Sequence, residues 1–75
     1  PIAGEATLKI YVPIKTNISI ALTNIHGQGI SSESILNAEG LVERKLNANG
    51  LASGVYFVNV VTGSGEKVVK RVIVQ

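Results

Sequence analysis

The sequence predicts an all-β domain, a small antiparallel sandwich or barrel built from six or seven short strands. Apolar and polar residues alternate with a period of two along several segments, which is typical of half-buried strands. Clusters of Gly, Asn and Pro separate these segments at spacings of about 8–12 residues. At 75 residues the chain has room for a single domain, and we assign residues 1–75 to it.

The first two predicted strands cover residues 6–12 and 17–25. In both of them every second side chain is apolar, so each has one core-facing side. Pro13 ends the first strand in this prediction, because proline has no N–H group to donate to a neighbouring strand. Residues 24–29 combine Asn and Gly and therefore predict a turn.

The segment of residues 31–46 is ambiguous. Its apolar side chains also fit a helical stripe, but Gly40 in the middle of a helix would cost about 1 kcal/mol relative to Ala. Two strands, residues 29–36 and 41–46, joined by a turn at residues 37–40, fit the turn chemistry better. We favour the strands, with the helix as the alternative.

Residues 47–54 predict a turn followed by a compact corner, and residues 55–62 form the strongest predicted strand. Because residues 55–62 are almost all β-branched or aromatic, we expect a central strand that is covered on both faces. Residues 63–66 predict a hairpin loop, and residues 67–75 predict the last strand. Periodicity does not choose the inner face of that last strand.

The composition argues against catalysis and against cofactors. The chain has no Cys and no Asp, and its single histidine, His26, lies beside a glycine in a predicted turn. We therefore expect no nucleophile-and-base set, no metal site, no cofactor and no enzymatic activity. The net charge of +2 predicts no nucleic-acid partner, and no apolar run reaches about 18 residues, the length of a membrane-spanning helix. The start at Pro1 indicates a piece of a larger precursor.

Basic residues concentrate in the last predicted strand, at Lys67, Lys70 and Arg71. Lysine on an edge strand blocks sheet-to-sheet aggregation, and this is the simpler interpretation of these charges. The alternative is recognition by an acidic or membrane-bound partner. A small sandwich also has open edges, so a strand of another chain can be added, or copies can exchange strands to form a homodimer in isolation.

The second half of the chain resembles a known family. Residues 51–58 (LASGVYFV) and 66–74 (EKVVKRVIV) resemble the type A C-terminal sorting domain of the type IX (Por) secretion system. That family carries an L-x-x-G-x-Y-x-V strand and then a lysine-bearing terminal strand. Residues 18–28 resemble its hydrophobic strand followed by N-x-x-G-[QK]. The chain departs from the family by lacking an opening Pro-Asn-Pro and by ending on Gln75 instead of a basic residue.

The resemblance implies an Ig-like sandwich of about seven strands at the C-terminus of an exported protein. It implies that the type IX translocon and its shuttle proteins read the domain as an export signal. A cell-surface sortase would then remove the domain and attach the cargo to an anionic lipopolysaccharide. The implied location is the periplasm in transit, followed by the medium or the cell surface of a Gram-negative bacterium.

The resemblance also places functional residues. Recognition by translocon or sortase is predicted for residues of the last two strands: Gly54, Val55, Tyr56, Lys67, Val69, Lys70, Arg71, Val72 and Val74. A structural turn is predicted at Asn24, Gly27 and Gln28. The alternative function is an Ig-like or fibronectin-like accessory module that binds protein or carbohydrate. Carbohydrate binding is weakened because the chain has only three aromatic side chains, two of them in the strand predicted to be most buried.

Overall fold

The computed structural model describes residues 4–75, which form four antiparallel strands in one sheet. The strands are β1 (Glu5–Asn24), β2 (Gly29–Asn47), β3 (Gly54–Thr62) and β4 (Lys67–Val74). Their order across the sheet is β2-β1-β3-β4, and every neighbouring pair is antiparallel. The predicted all-β antiparallel class is confirmed. Over residues 4–75 there is no helix long and apolar enough to cross a bilayer.

The strand count differs from the prediction. Residues 6–12 and most of 17–25 belong to one strand, β1, and the two strands predicted for residues 29–36 and 41–46 both belong to β2. Six to seven strands was therefore too many, and the Ig-like sandwich of separate sheets is not confirmed. Helix, the alternative for residues 31–46, was wrong, because this segment pairs with β1 along most of its length.

The predicted breaks are bends within long strands. The pairing of β1 with β2 skips from Val12 to Thr16, so Pro13 lies in a bulge where its missing N–H group costs no ladder hydrogen bond. On the β2 side the bend is flanked by Asn37 and Gly40, with φ angles of 53° and 80°. Such positive φ values are readily adopted by Gly and, less often, by Asn, which explains the residue types at this point.

The bend folds the β1–β2 hairpin back over the rest of the sheet. A straight strand of 20 residues would be about 68 Å long, whereas the longest dimension of the molecule is 35 Å. Arg44 Nε lies 3.0 Å from Glu33 Oε2 although both residues belong to β2. We call residues 5–12 of β1 together with residues 40–47 of β2 the outer hairpin.

The core lies between the outer hairpin and the remainder of the sheet. Among residues 4–75, ten apolar side chains are buried: Val12, Ile18, Ile20, Leu22, Ala38, Ala48, Tyr56, Val58, Val60 and Val74. Four partly buried side chains of the outer hairpin pack against this cluster: Leu8, Ile10, Val42 and Leu46. The chain thus builds two layers from a single sheet, and burial of apolar area between them is the main stabilising contribution.

The prediction that β3 is covered on both faces was wrong. Tyr56, Val58 and Val60 are buried in the core, but on the other face Phe57 is only half-buried and Val61 is 37% exposed. The outer hairpin covers one face of the sheet, and no other described segment covers the opposite one. The apolar run of β3 therefore indicates a central strand, but it does not indicate burial on both faces.

Candidate recognition site

β4 is an edge strand, hydrogen-bonded to β3 on one side. Its other side has no strand neighbour among residues 4–75. Val74 is buried and Val72 packs against the core, so the even-numbered side chains of β4 lie on the inner face. This assigns the inner face that periodicity left open. Lys67, Val69, Arg71 and Ile73 consequently lie on the outer face.

The three cations of β4 are exposed and lie on both faces of the sheet. Lys67 and Arg71 are on the outer face, paired in register with Val61 and Phe57. Lys70 is on the inner face, where it borders a cleft together with residues such as Leu8 and Val58. The ion pair found within the described residues joins Arg44 to Glu33, so the cations of β4 remain available to a partner.

Gly54 begins β3, at the corner predicted from the sequence. Its φ of 150° lies in a region that side-chain-bearing residues rarely adopt, which explains glycine at this position. In the β3–β4 ladder Gly54 pairs with Val74, Val55 with Ile73, and Tyr56 with Val72. The two segments that carry the resemblance in the second half of the chain are thus direct neighbours in the sheet.

Tyr56 links the core to the corner that precedes β3. Its side chain is 8% exposed, and its hydroxyl donates a hydrogen bond to the carbonyl oxygen of Ala52 at 2.7 Å. A buried phenol needs such a partner, because an unsatisfied hydroxyl in the core would be costly. Tyr56 therefore holds residues 52–56 in one conformation while its ring fills the core.

Asn24 organises the turn between β1 and β2. Its Oδ1 accepts hydrogen bonds from the backbone N–H groups of His26 at 2.9 Å and Gln28 at 3.0 Å. Its Nδ2 donates to Gln28 Oε1 at 2.8 Å, and the Gly27 N–H donates to the Asn24 carbonyl. This network explains the spacing N-x-x-G-Q, because Asn24, Gly27 and Gln28 each contribute a hydrogen bond that closes the same turn.

The three segments that carry the resemblance meet at one end of the sheet. Asn24 pairs with Tyr56 in the β1–β3 ladder, and Tyr56 pairs with Val72 in the β3–β4 ladder, so the three residues form one row. We call this region the motif end. Lys67 lies near the opposite end of β4, in register with Val61. The predicted recognition residues thus run along the whole of β4 and do not form one compact cluster.

Sequence reasoning missed two polar residues that hold the fold around this region. Asn17 Oδ1 accepts a hydrogen bond from the Asn37 N–H at 2.9 Å and so secures the bend between the two strands. Asn59 Nδ2 donates to Thr23 Oγ1 at 3.1 Å and ties β3 to β1 on the outer face. Asparagine is uncommon inside strands, and that is the signal by which both could have been found.

The fold and the motif end define a class of protein, a small antiparallel β domain. Its sequence motifs form a turn, a corner and an edge strand. A family of such domains, described as the secretion system C-terminal sorting domain, matches residues 1–75, and the chain belongs to it. No curated protein and no solved structure matched the chain. The domain is a C-terminal sorting signal for type IX secretion.

Membership in the family carries two further statements. A type IX sorting domain interacts with the type IX secretion machinery, and the cargo it belongs to is a secreted or cell-surface protein. The predicted functional class is therefore confirmed, whereas the roles predicted for single residues stay predictions.

Proposed function

We propose that the type IX translocon and its shuttle proteins recognise this domain through β4, including its free backbone edge and its three cations. The observation that carries the proposal is that Lys67, Lys70 and Arg71 are all exposed on an edge strand. An open edge can accept a strand from a partner, and the cations favour a partner with acidic groups beside that strand. The motif end would hold β4 in place by pairing it with Gly54, Val55 and Tyr56.

The proposal extends to the fate of the cargo. The domain would pass through the periplasm of a Gram-negative bacterium as the last part of a larger precursor, of which residues 1–75 form one domain. A cell-surface sortase would then remove it and join the cargo to an anionic lipopolysaccharide. The domain itself would act as a signal and not as an enzyme. We also propose that the outer hairpin, folded over the sheet, plays the part of the second layer in an Ig-like sandwich.

The first test of the export role is a deletion. Removing residues 68–75 from the full precursor should leave the cargo in the periplasm, measured by cell fractionation and immunoblotting. Normal secretion of this truncated precursor would refute the role of β4. The deletion also removes Val72 and Val74 from the core, so it needs a companion that keeps the strand.

The companion experiment neutralises charge without touching the core. The variant Lys67→Gln, Lys70→Gln, Arg71→Gln should reduce secretion about tenfold or more, because the proposed partner loses its charge-assisted contacts. The control variant Lys9→Gln, Lys15→Gln, Lys45→Gln changes the net charge equally at exposed sites outside β4 and should be secreted normally. Equal secretion of the two triple variants would contradict recognition through β4.

Sortase-mediated attachment has its own readout. Cargo recovered from the cell surface should lack residues 1–75 and carry lipopolysaccharide, visible as a mass shift and a diffuse band on gels. Surface cargo that keeps residues 1–75 would contradict this part of the proposal and leave the export role intact.

We further propose that the isolated domain can exchange strands between copies. Gly63 and Gly65 lie in the loop between β3 and β4, so β4 could swing out and pair with β3 of a second copy. Partial unfolding and refolding at millimolar concentration should then produce a slowly dissociating dimer in light scattering. Monomer alone after this treatment would rule strand exchange out.

A further inference from the structure

Within residues 4–75 the sheet has three free strand edges, and they differ in how well they are protected. The edge of β4 carries three cations, so two such edges would repel each other. The edge of β2 is bent and carries three glutamates against two bases, Arg44 and Lys45, which leaves it with a net negative charge. The third edge, residues 5–12 of β1, pairs with β2 on one side and has no strand neighbour on the other among the described residues.

The charges of this third edge are balanced. Residues 5–12 contain one acid, Glu5, and one base, Lys9, and both side chains are exposed. Thr7, which lies between them, is exposed on the same face, whereas Ala6 and Leu8 are half-buried on the face of the core. No ion pair of Glu5 or Lys9 is present within residues 4–75. Their spacing of four residues makes this edge complementary to itself.

We propose that two copies of the domain pair antiparallel through this edge, with Thr7 of one copy opposite Thr7 of the other on a two-fold axis. In this register Glu5 of each copy faces Lys9 of the other, and Ala6 faces Leu8. Opposite charges and paired threonines are both favourable cross-strand neighbours in antiparallel sheets. The interface is isologous and closes at two copies, so it does not propagate into fibres.

Neighbouring registers are less favourable. If one copy slides along the other by an odd number of residues, side chains of the core face in one copy lie opposite side chains of the outer face in the other, so only slides by an even number are allowed. A slide by two residues moves the centre of the pairing by one residue. A register centred on Leu8 leaves Glu5 opposite Tyr11 and Lys9 opposite Thr7, so neither charge is paired. A register centred on Lys9 places two lysines directly against each other, which is unfavourable.

A cleft beside the edge gives the pairing an apolar component. The cleft has a volume of about 440 Å³ and lies between residues 7–11 of β1 and parts of β3 and β4. Its lining includes Leu8 and Ile10, and also Val68, which is 63% exposed. A strand added beside residues 5–12 extends the outer layer over the mouth of this cleft. Burial of these side chains then favours the dimer.

The proposal does not depend on recognition through β4. The backbone edge of β4 is not part of the proposed interface, which reaches β4 only at Val68 and Lys70 on the lining of the cleft. Export and dimerisation are therefore separated by changing Glu5 and Lys9, which lie outside β4. Variants of Glu5 and Lys9 should be secreted like the wild type even where they abolish the dimer.

The deciding experiment measures association by analytical ultracentrifugation. It uses charge-reversal variants, first alone and then mixed, and protein that has never been unfolded. Glu5→Lys alone and Lys9→Glu alone each place like charges opposite each other at both ends of the pairing. Each should weaken the dimer about tenfold or more. In a 1:1 mixture one copy is doubly basic and the other doubly acidic along the edge. A heterodimer should therefore form at least as tightly as the wild-type dimer.

Two outcomes would overturn the proposal. The first is unchanged self-association of either single variant, and the second is a mixture that fails to associate. Thermal unfolding serves as the folding control, since Lys9 lies opposite Glu43 in its own hairpin and its reversal brings two acids together there. In the mixture the Lys9→Glu chain keeps this local repulsion, yet we still expect the heterodimer to form. A variant that has only lost the self-complementary interface therefore associates in the mixture, whereas a misfolded variant does not.

A cross-linking experiment tests the register. The chain has no cysteine, so Thr7→Cys introduces the only thiol. In the proposed register the two thiols face each other at cross-strand distance, and mild oxidation should yield mostly disulfide-linked dimer. Lys45→Cys is the matched control, because Lys45 pairs with Thr7 on the side away from the free edge. Equal cross-linking of the two variants would contradict the pairing.

Discussion

Tyr56 shows how one side chain can serve both stability and local geometry. Its ring is buried in the core between the outer hairpin and the sheet, while its hydroxyl binds the backbone four residues earlier. A phenylalanine could fill the same volume but could not hold the carbonyl of Ala52. The two contributions can therefore be separated by mutation.

For Tyr56→Ala we expect a loss of about 3–5 kcal/mol in the free energy of unfolding, because a buried aromatic ring is removed. A domain of this size has only about 4–11 kcal/mol in total, so the variant should lose a large part of its stability. Tyr56→Phe should lose only about 0.5–1.5 kcal/mol, the contribution of one hydrogen bond. Urea denaturation measures both, and an unchanged midpoint for Tyr56→Ala would contradict its place in the core.

Asn24 also makes two kinds of contact that mutation can separate, since its Oδ1 accepts hydrogen bonds and its Nδ2 donates one. Asn24→Ala removes two accepted hydrogen bonds and one donated bond, and should cost about 1–2 kcal/mol. Asn24→Asp keeps both acceptors, and the amide of Gln28 can turn to donate to the new carboxylate, so the loss should stay below about 0.5 kcal/mol. Equal losses for the two variants would show that the network does not hold the turn.

At the scale of the strand, the bend in β1 and β2 is the feature that makes two layers from one hairpin. Pro13 and Gly40 lie at this bend, but the prediction that strands end there was wrong. These residue types do not distinguish a strand that ends in a turn from a strand that continues through a bulge, because proline and glycine occur in both. The difference depends on pairing between residues far apart in sequence, such as Val12 with Gly40.

Other features of the strands were also beyond sequence reasoning. The apolar run of β3 predicted two covered faces, yet Val61 is exposed, because apolar side chains occur on protein surfaces as well as in cores. The motif end was unpredictable for a different reason. Asn24, Tyr56 and Val72 come together only through the register of two ladders, which local patterns do not specify.

The bend makes a specific prediction about glycine. At Gly40 φ is 80°, so Gly40→Ala should cost about 1–2 kcal/mol through backbone strain. Gly29 also lies in β2 and has open space around its Cα, but its φ is not in the left-handed range. Gly29→Ala should therefore be neutral or slightly stabilising. Thermal unfolding of the two variants checks this, and equal melting temperatures would count against a strained bend.

At the scale of the whole molecule, the uneven distribution of charge is the property most relevant to sorting. Three of the seven basic residues lie on β4, which has no acid, while β2, at the other side of the sheet, has three of the five acids against two bases. The fold thus separates a basic edge from a more acidic one. This arrangement discourages pairing of β4 with itself and leaves that edge open to an acidic partner.

The central claim is that residues 1–75 act as the sorting signal, and a transfer experiment tests it most directly. Residues 1–75 are fused to the C-terminus of a periplasmic reporter in a bacterium that has a type IX secretion system, and the reporter is quantified in periplasm, cell surface and medium. We predict that the reporter leaves the periplasm with the intact domain and remains there when Lys67, Lys70 and Arg71 are replaced by Gln. A reporter that stays in the periplasm although the fused domain is folded and intact would contradict the account.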